Sequence, residues 1–203
     1  MLVFPESRLT YLAVPKTGTT AIEMALRPRA EIIFAKARKH ITARRYTSKV
    51  APFLSSTFGI ETETVAIMRD PVEQIRSWYK YRRREELIGQ PRSTAEMSFD
   101  DFVQAVISDD PPEFAKIGSQ FRFLADKSGA VIVDHLFDYS ALPAFLTFMS
   151  NRLAGPVELK EVNVSPLTDA PLSDAVRQEL EAKRSEEFAL YERLSLTGYL
   201  HFA

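Results

Sequence analysis

The stretch Leu9–Leu26, LTYLAVPKTGTTAIEMAL, changes its periodicity halfway along. Leu9 to Val14 is an apolar run with aromatic and β-branched members, which reads as a buried strand, and Pro15 ends it. Lys16-Thr17-Gly18-Thr19-Thr20 follows as a small-residue turn, and Ala21, Ile22, Ala25 and Leu26 then share one helical face. Thr20 and Glu23 have the spacing of a capping box, which predicts a helix over 20–27. The order is strand, tight loop, helix N-terminus. A helix start leaves backbone N–H groups unpaired and carries partial positive charge. A loop of Gly, Thr and Lys at that point is a cradle for a multiply charged anion such as a phosphate, and Gly18 lets backbone approach a ligand closely. The nucleoside-triphosphate loop reads G-x-x-x-x-G-K-[ST]. Here Lys16 precedes the only glycine of the loop, so the stretch is an anion loop that matches the triphosphate form poorly.

A Gly/Thr turn alone is common between strands and helices, and a second constellation gives it weight. Thr64-Val65-Ala66-Ile67-Met68-Arg69-Asp70-Pro71 repeats the same grammar. Pro71 suits the first helical position, and Asp70 with Glu73 has capping-box spacing. Val72, Ile75, Trp78 and Tyr79 supply an apolar face. Arg69 therefore stands at the carboxyl end of a strand, where ligands collect in open α/β sheets, and offers a planar fork of donors suited to phosphate. Ser77 lies about two turns into the helix (3.6 residues per turn). Taken singly, Arg69 is equally an arginine paired with a local carboxylate, and Ser77 an exposed helix serine.

Together the PKTGTT loop and the RDPVEQIRSWY segment resemble the sulfotransferase family, whose members move a sulfuryl group from 3′-phosphoadenylyl sulfate (PAPS) to an acceptor. The resemblance implies that Pro15, Lys16, Thr17, Gly18, Thr19 and Thr20 hold the 5′-phosphosulfate and that Arg69 and Ser77 hold the 3′-phosphate. Lys39-His40-Ile41-Thr42-Ala43, Val133–Tyr139, Asn163-Val164-Ser165-Pro166 and Ala189-Leu190-Tyr191 look like further segments of the branch that includes carbohydrate sulfotransferases. Asn163 and Ser165 would close over the nucleotide. After Tyr139 the glutamate frequent in the family is missing, and the resemblance fades between Arg82 and Gln120. That stretch is the expected acceptor-facing insert. The implied acceptor is a hydroxyl-bearing carbohydrate or small metabolite, and no metal is implied. A P-loop kinase or hydrolase, or a catalytically silent nucleotide-binding protein of the same fold, are the alternative readings.

Lys16 is the candidate for stabilising charge on the leaving phosphate oxygen. For the general base there are three histidines. His40 follows the second expected strand beside a basic run that would lower its pKa; His135 closes a strand; His201 sits at an end expected to fray. Asp134 and Glu23 are weaker base candidates. Lys36–Lys49 holds six cations and no acid, and Arg82-Arg83-Arg84 forms a second basic run. Each reads either as a solvated face or as part of a field around an anionic ligand.

Strands are expected near 9–14, 31–35, 64–68 and 130–135. Helices are expected near 20–27, 42–50, 71–88, 99–108, 112–126, 142–153 and 173–194. This alternation argues an α/β three-layer sandwich with a mostly parallel central sheet, and the resemblance adds a P-loop-like sulfotransferase fold. The 203 residues suit one domain, 1–203. Gln90–Met97 is the candidate mobile loop. The chain has no cysteine, which excludes disulfides and thiol chemistry. No apolar run reaches the ~20 residues of a membrane span, and Met1–Thr10 does not read as a signal peptide. A cytoplasmic enzyme without a membrane anchor is expected. The formal net charge of −1 gives no sign of nucleic acid as a partner, and the oligomeric state is left open.

Overall fold

Alternation along Leu9–Val14 sorts the core onto two faces of one sheet. In the computed structural model, which describes residues 1–159 and 169–202, Leu9, Tyr11 and Ala13 join one buried cluster and Leu12 and Val14 another. Successive strand side chains point to opposite faces, so a strand apolar at every position must be covered on both. The first cluster packs Ile22 and Leu26 of α1 (Thr19–Leu26) and Phe145 and Met149 of α7 (Leu142–Arg152). The second packs Tyr46 and Leu54 from the helical stretch of α2 (Ala43–Arg45) and α3 (Ala51–Phe58), which a π-turn over Tyr46–Val50 joins. Phe123 and Leu124 of α6 (Gln120–Leu124) and Leu190 and Leu194 of α9 (Ser185–Thr197) complete that face.

The six strands are β1 (Leu2–Phe4), β2 (Leu9–Leu12), β3 (Ile32–Ile33), β4 (Glu63–Met68), β5 (His135–Asp138) and β6 (Tyr199–His201), in the spatial order β3-β1-β2-β4-β5-β6. The sheet is mixed. β2, β4 and β5 run parallel, whereas β1, β3 and β6 join antiparallel. The expectation of a mostly parallel sheet thus holds for the middle three strands and not for the edges. Leu12 pairs with Ala66 and Met68 pairs with Asp138, so the carboxyl ends of the three parallel strands share one border.

A third cluster stands apart from the sheet. Val72, Ile75 and Tyr79 of α4 (Pro71–Arg82) pack on Phe99, Phe102, Val103 and Val106 of α5 (Phe99–Ile107) and on Val176 and Leu180 of α8 (Asp174–Lys183). Helix starts follow the sequence signals unevenly. Ser98 and Asp101 form the full capping box. Asp70 caps α4 by accepting from Glu73 N–H at 2.9 Å, with Pro71 as the first helical residue. The Thr20–Glu23 box does not form. α1 begins one residue earlier, behind Gly18 in the left-handed region, and Glu23 turns instead to Lys39 at 2.9 Å.

Several boundaries differ from the sequence reading. The strand expected at 130–135 lies at His135–Asp138, and His135 opens it rather than closing it. The helix expected over 112–126 is a short 3-10 turn at Glu113–Ala115 followed by α6. The long last helix is two, α8 and α9, broken at Arg184. β1 and β6 are additional to the expected strands, and His201 lies in β6 rather than in a frayed end. Gln90–Met97, expected to be mobile, is tied to α4. Thr94 is fully buried and donates its hydroxyl to the Tyr79 carbonyl at 2.9 Å, and Tyr79 donates its own to Met97 at 2.7 Å. No helix among the described residues is long and apolar enough to cross a membrane.

Phe145 is fully buried and its ring meets those of Tyr11 and Phe137. Phe145→Ala is expected to cost about 3–5 kcal/mol, read as a lower midpoint in urea unfolding with an unchanged slope.

Candidate functional site

Three strand ends meet at the shared border. From β2 comes the loop Pro15–Thr20, from β4 come Arg69 and Asp70, and from β5 comes Tyr139. Gly18 has φ 71, a conformation glycine adopts without steric cost. A Cβ placed on Gly18 would lie 3.0 Å from Cε2 of Tyr139, so the loop backbone rests on that ring. The Arg69 guanidinium carbon lies 5.1 Å from the centroid of the same ring. Gln74 on α4 donates to the Pro15 carbonyl at 3.3 Å. The two segments singled out in the sequence are therefore one site, joined through Tyr139 and Gln74.

Within the loop, Thr17 is buried and donates its hydroxyl to the Val14 carbonyl at 2.9 Å, which closes the turn. Thr19 is buried, with its hydroxyl 3.4 Å from the Lys39 ammonium, and Thr20 is exposed. The first helical bond of α1 runs from Ile22 N–H to the Gly18 carbonyl at 3.2 Å. The first three N–H groups of α1 thus have no intrahelical partner at the positive end of the helix, the condition an anion site uses.

Lys16 has φ 68, a left-handed conformation uncommon outside glycine. Its ammonium lies 4.0 Å from the Tyr81 ring centroid and 5.0 Å from that of Trp78. No carboxylate lies within ion-pair distance of it among the described residues. Burial, then the positive charges of Arg84, Arg69, Arg82 and Lys39, lower its pKa to about 7.

Arg69 is held at both ends. Its N–H donates to the Gln120 side-chain oxygen at 2.9 Å, and the Gln120 amide returns a bond to the Arg69 carbonyl at 2.8 Å. Buried Glu187 accepts from Gln120 N–H at 2.9 Å and so fixes this clamp. The Arg69 guanidinium sits 3.4 Å from Glu73, a carboxylate it shares with Arg76. Ser77 is half-buried on α4. Tyr79, part of the same sequence segment, spends its hydroxyl on Met97 and belongs to the α4–α5 core.

The histidines separate cleanly. His40 Nδ1 lies 2.7 Å from the Ala13 carbonyl. A carbonyl only accepts, so Nδ1 carries the proton and Nε2 keeps the free lone pair in the neutral ring. Ala13 lies just ahead of the anion loop, and His40 retains solvent access. Partial burial pulls its pKa below the usual imidazole value, the Ala13 bond opposes that shift, and Lys39 adds to it. His135 lies at the other end of the sheet, paired with Val65 three residues before Met68, about 10 Å from the border that carries the loops at ~3.3 Å per residue. It is buried between Tyr199 and Glu63 and stacks on His201 at 4.8 Å. Asp134 accepts from Thr64 N–H and hydroxyl at 2.6 and 2.7 Å, a structural bond. Glu23 is engaged by Lys39. Of the candidate bases, only His40 combines a place beside the loop with a free ring nitrogen.

The basic runs exchange importance. In the first, Lys36, Arg38, Arg44, Arg45 and Lys49 are exposed, and Lys39 alone turns to the loop helix. In the second, Arg84 and Arg82 act directly on Lys16, and the Arg83 guanidinium bonds to the Tyr79 hydroxyl and the Thr94 and Met97 carbonyls. Asn163 and Ser165 lie outside the described residues. Tyr139, Gln120, Trp78 and Tyr81 join the site without having been marked for it by the sequence motifs. The position of Tyr139, one residue past a parallel strand, is the signal that could have singled it out. No protein-family model and no curated protein matches this chain.

Gly18→Ala is expected to cost about 1–2 kcal/mol from the left-handed backbone, with a further loss from the Tyr139 contact that Tyr139→Ala relieves in the double variant; urea unfolding of the unsubstituted protein, both single variants and the double variant separates the two parts. Lys16 binds its proton less tightly folded than unfolded, so the unfolded chain carries more protons between about pH 7 and the ordinary lysine pKa of 10.5. Stability relative to Lys16→Met should therefore rise with pH across that window, with Lys16→Met the more stable protein at pH 6, as followed by thermal unfolding at several pH values.

Proposed function

We propose that this protein is a sulfotransferase that moves a sulfuryl group from PAPS to the hydroxyl of a carbohydrate or small metabolite. The observation that carries the reading is the meeting of the Lys16 loop and Arg69 at the Tyr139 ring, at the ends of adjacent parallel strands. One nucleotide with phosphate groups at both its 5′ and 3′ positions suits such a pair of anion sites. Helices on both faces of the sheet support an α/β three-layer sandwich of the P-loop-like sulfotransferase kind. The lysine-before-glycine order of the loop favours this reading over a kinase or hydrolase.

In this reading the Pro15–Thr20 loop and the N–H groups of α1 hold the phosphosulfate, and Arg69 with Ser77 holds the 3′-phosphate. Thr17 contributes through its backbone, because its hydroxyl already closes the turn. The acceptor oxygen bonds to sulfur as the bond from sulfur to the 5′-phosphate oxygen breaks. The acceptor proton passes to His40 Nε2, and the Lys16 ammonium stabilises the charge gathering on the departing phosphate oxygen. The products are a sulfate ester, 3′-phosphoadenosine 5′-phosphate and one proton. The Ala13 carbonyl fixes the imidazole tautomer, and the lowered pKa keeps the ring neutral, the form a base requires.

The two roles need opposite protonation states, and the pH profile should show it. For kcat/KM the acid limb belongs to His40, below the ordinary imidazole value, and the alkaline limb to Lys16 near its free value of about 7. In kcat the alkaline limb moves upward, because bound anions favour the charged amine. Sulfuryl transfer to a panel of alcohols tests the reading. Lys16→Ala is expected to lower kcat by about 10²–10³, and His40→Ala by about 10² with loss of the acid limb. Binding of 3′-phosphoadenosine 5′-phosphate without Mg²⁺ should exceed that of ATP in calorimetry; tighter, Mg²⁺-dependent ATP binding would reject the proposal.

A further inference from the structure

Tyr81 and Trp78 present ring faces to the same ammonium group. Their centroids are 6.0 Å apart with planes at 84°, an edge-to-face pair that makes a corner on α4. Lys16 Nζ occupies that corner. Each ring also carries a guanidinium: Arg84 lies 4.7 Å from the Tyr81 centroid and Arg82 lies 5.2 Å from that of Trp78. Arg69 at the end of β4 and Lys39 ahead of α2 add positive charge from the other neighbouring elements. Among the described residues no carboxylate pairs with Lys16, Arg82 or Arg84; Arg82 donates to the Glu113 and Phe114 carbonyls, and for Lys16 and Arg84 the rings are the groups that face the cation with negative charge density. Among the described residues the buried indole N–H of Trp78 has no partner, and the indole is held here by its ring contacts. Tyr81 is 39% exposed, so its ring is not needed to fill the core.

We propose that Trp78 and Tyr81 are positioning residues, an aromatic corner that holds the Lys16 ammonium in one place beside the anion loop before any ligand arrives. A lysine side chain has many rotamers, and ordering it at the moment of reaction would cost entropy. Against the two rings that ordering is already complete. The left-handed backbone at Lys16 aims the side chain at α4, and the rings then fix its end. The catalytic use of this arrangement rests on the sulfuryl-transfer reading; the corner itself does not.

Trp78 is the only tryptophan of the chain, which makes it a reporter of its own contact. A protonated amine close to an indole quenches its emission, whereas the neutral amine does so less. Emission of the full chain, titrated from pH 5 to 9 without ligand, should follow a single-proton curve centred near the Lys16 value of about 7. The curve should vanish in Lys16→Met, weaken in Tyr81→Leu and persist in Tyr81→Phe, which keeps the ring face. In sulfuryl transfer, Tyr81→Leu should lower kcat about tenfold with the KM for nucleotide little changed, and Tyr81→Phe should restore it. A flat titration in the unsubstituted protein, or a curve that survives Lys16→Met, overturns the proposal. So does a Tyr81→Leu protein that loses nucleotide affinity and kcat alike and is not rescued by Tyr81→Phe. A proper curve in a protein that neither binds the nucleotide nor transfers a sulfuryl group supports the corner and removes the functional reading instead.

Discussion

The parallel register of β2, β4 and β5 is the constraint on which the candidate site depends. Because Leu12 stands opposite Ala66 and Met68 opposite Asp138, the chain leaves all three strands at one border of the sheet. Residues just beyond each strand are then brought together whatever their distance in sequence: Lys16 and Gly18, Arg69 and Asp70, Tyr139. Two-sided burial enforces that register. A slip of one residue would turn Tyr11, Val65 and Phe137 away from α1 and α7 and send their neighbours into the wrong face. The same packing that makes the core therefore makes the site.

Tyr139 converts proximity into a defined geometry. Its ring supports the Gly18 backbone on one contact and the Arg69 guanidinium on another. Gln120 and buried Glu187 then hold the Arg69 backbone, linking β4 to α6 and α9. None of these groups needs to touch a ligand to matter. They set the separation between two cationic strand ends, and a rigid separation is what lets one ligand engage both without reorganising the protein.

The electrostatics are lopsided in a way that suits an anion. Lys39 is balanced by Glu23, and Arg69 and Arg76 share Glu73. Lys16 and Arg84 have aromatic faces in place of carboxylates, and Arg82 has an aromatic face and two main-chain carbonyls. A folded protein tolerates such an excess of positive charge at some cost, and the lowered affinity of Lys16 for its proton, set first by its burial and then by the neighbouring cations, includes that cost. A multiply charged anion would remove it.

Much of this is legible locally. The change of period at Pro15, the Asp70-Pro71 start of α4 and the start of α5 at Phe99 are short-range events, governed by steric and hydrogen-bonding rules within a few residues, and they stand where the sequence puts them. By itself the sequence determined an α/β chain with two loops suited to anions at strand ends, and it marked His40 as the histidine beside one of them. The tertiary structure alone decided the added strands β1 and β6 and the antiparallel pairing of β3, because two- and three-residue strands owe their existence to a partner rather than to their own propensity. It also decided that Arg84 and Arg82, with Lys39 alone from the longer basic run, act on Lys16, and that Tyr139, Trp78 and Tyr81 surround the loop. Those are contacts between residues far apart in the chain, and no local pattern encodes a contact whose second partner is set by how the sheet and its helices close on one another.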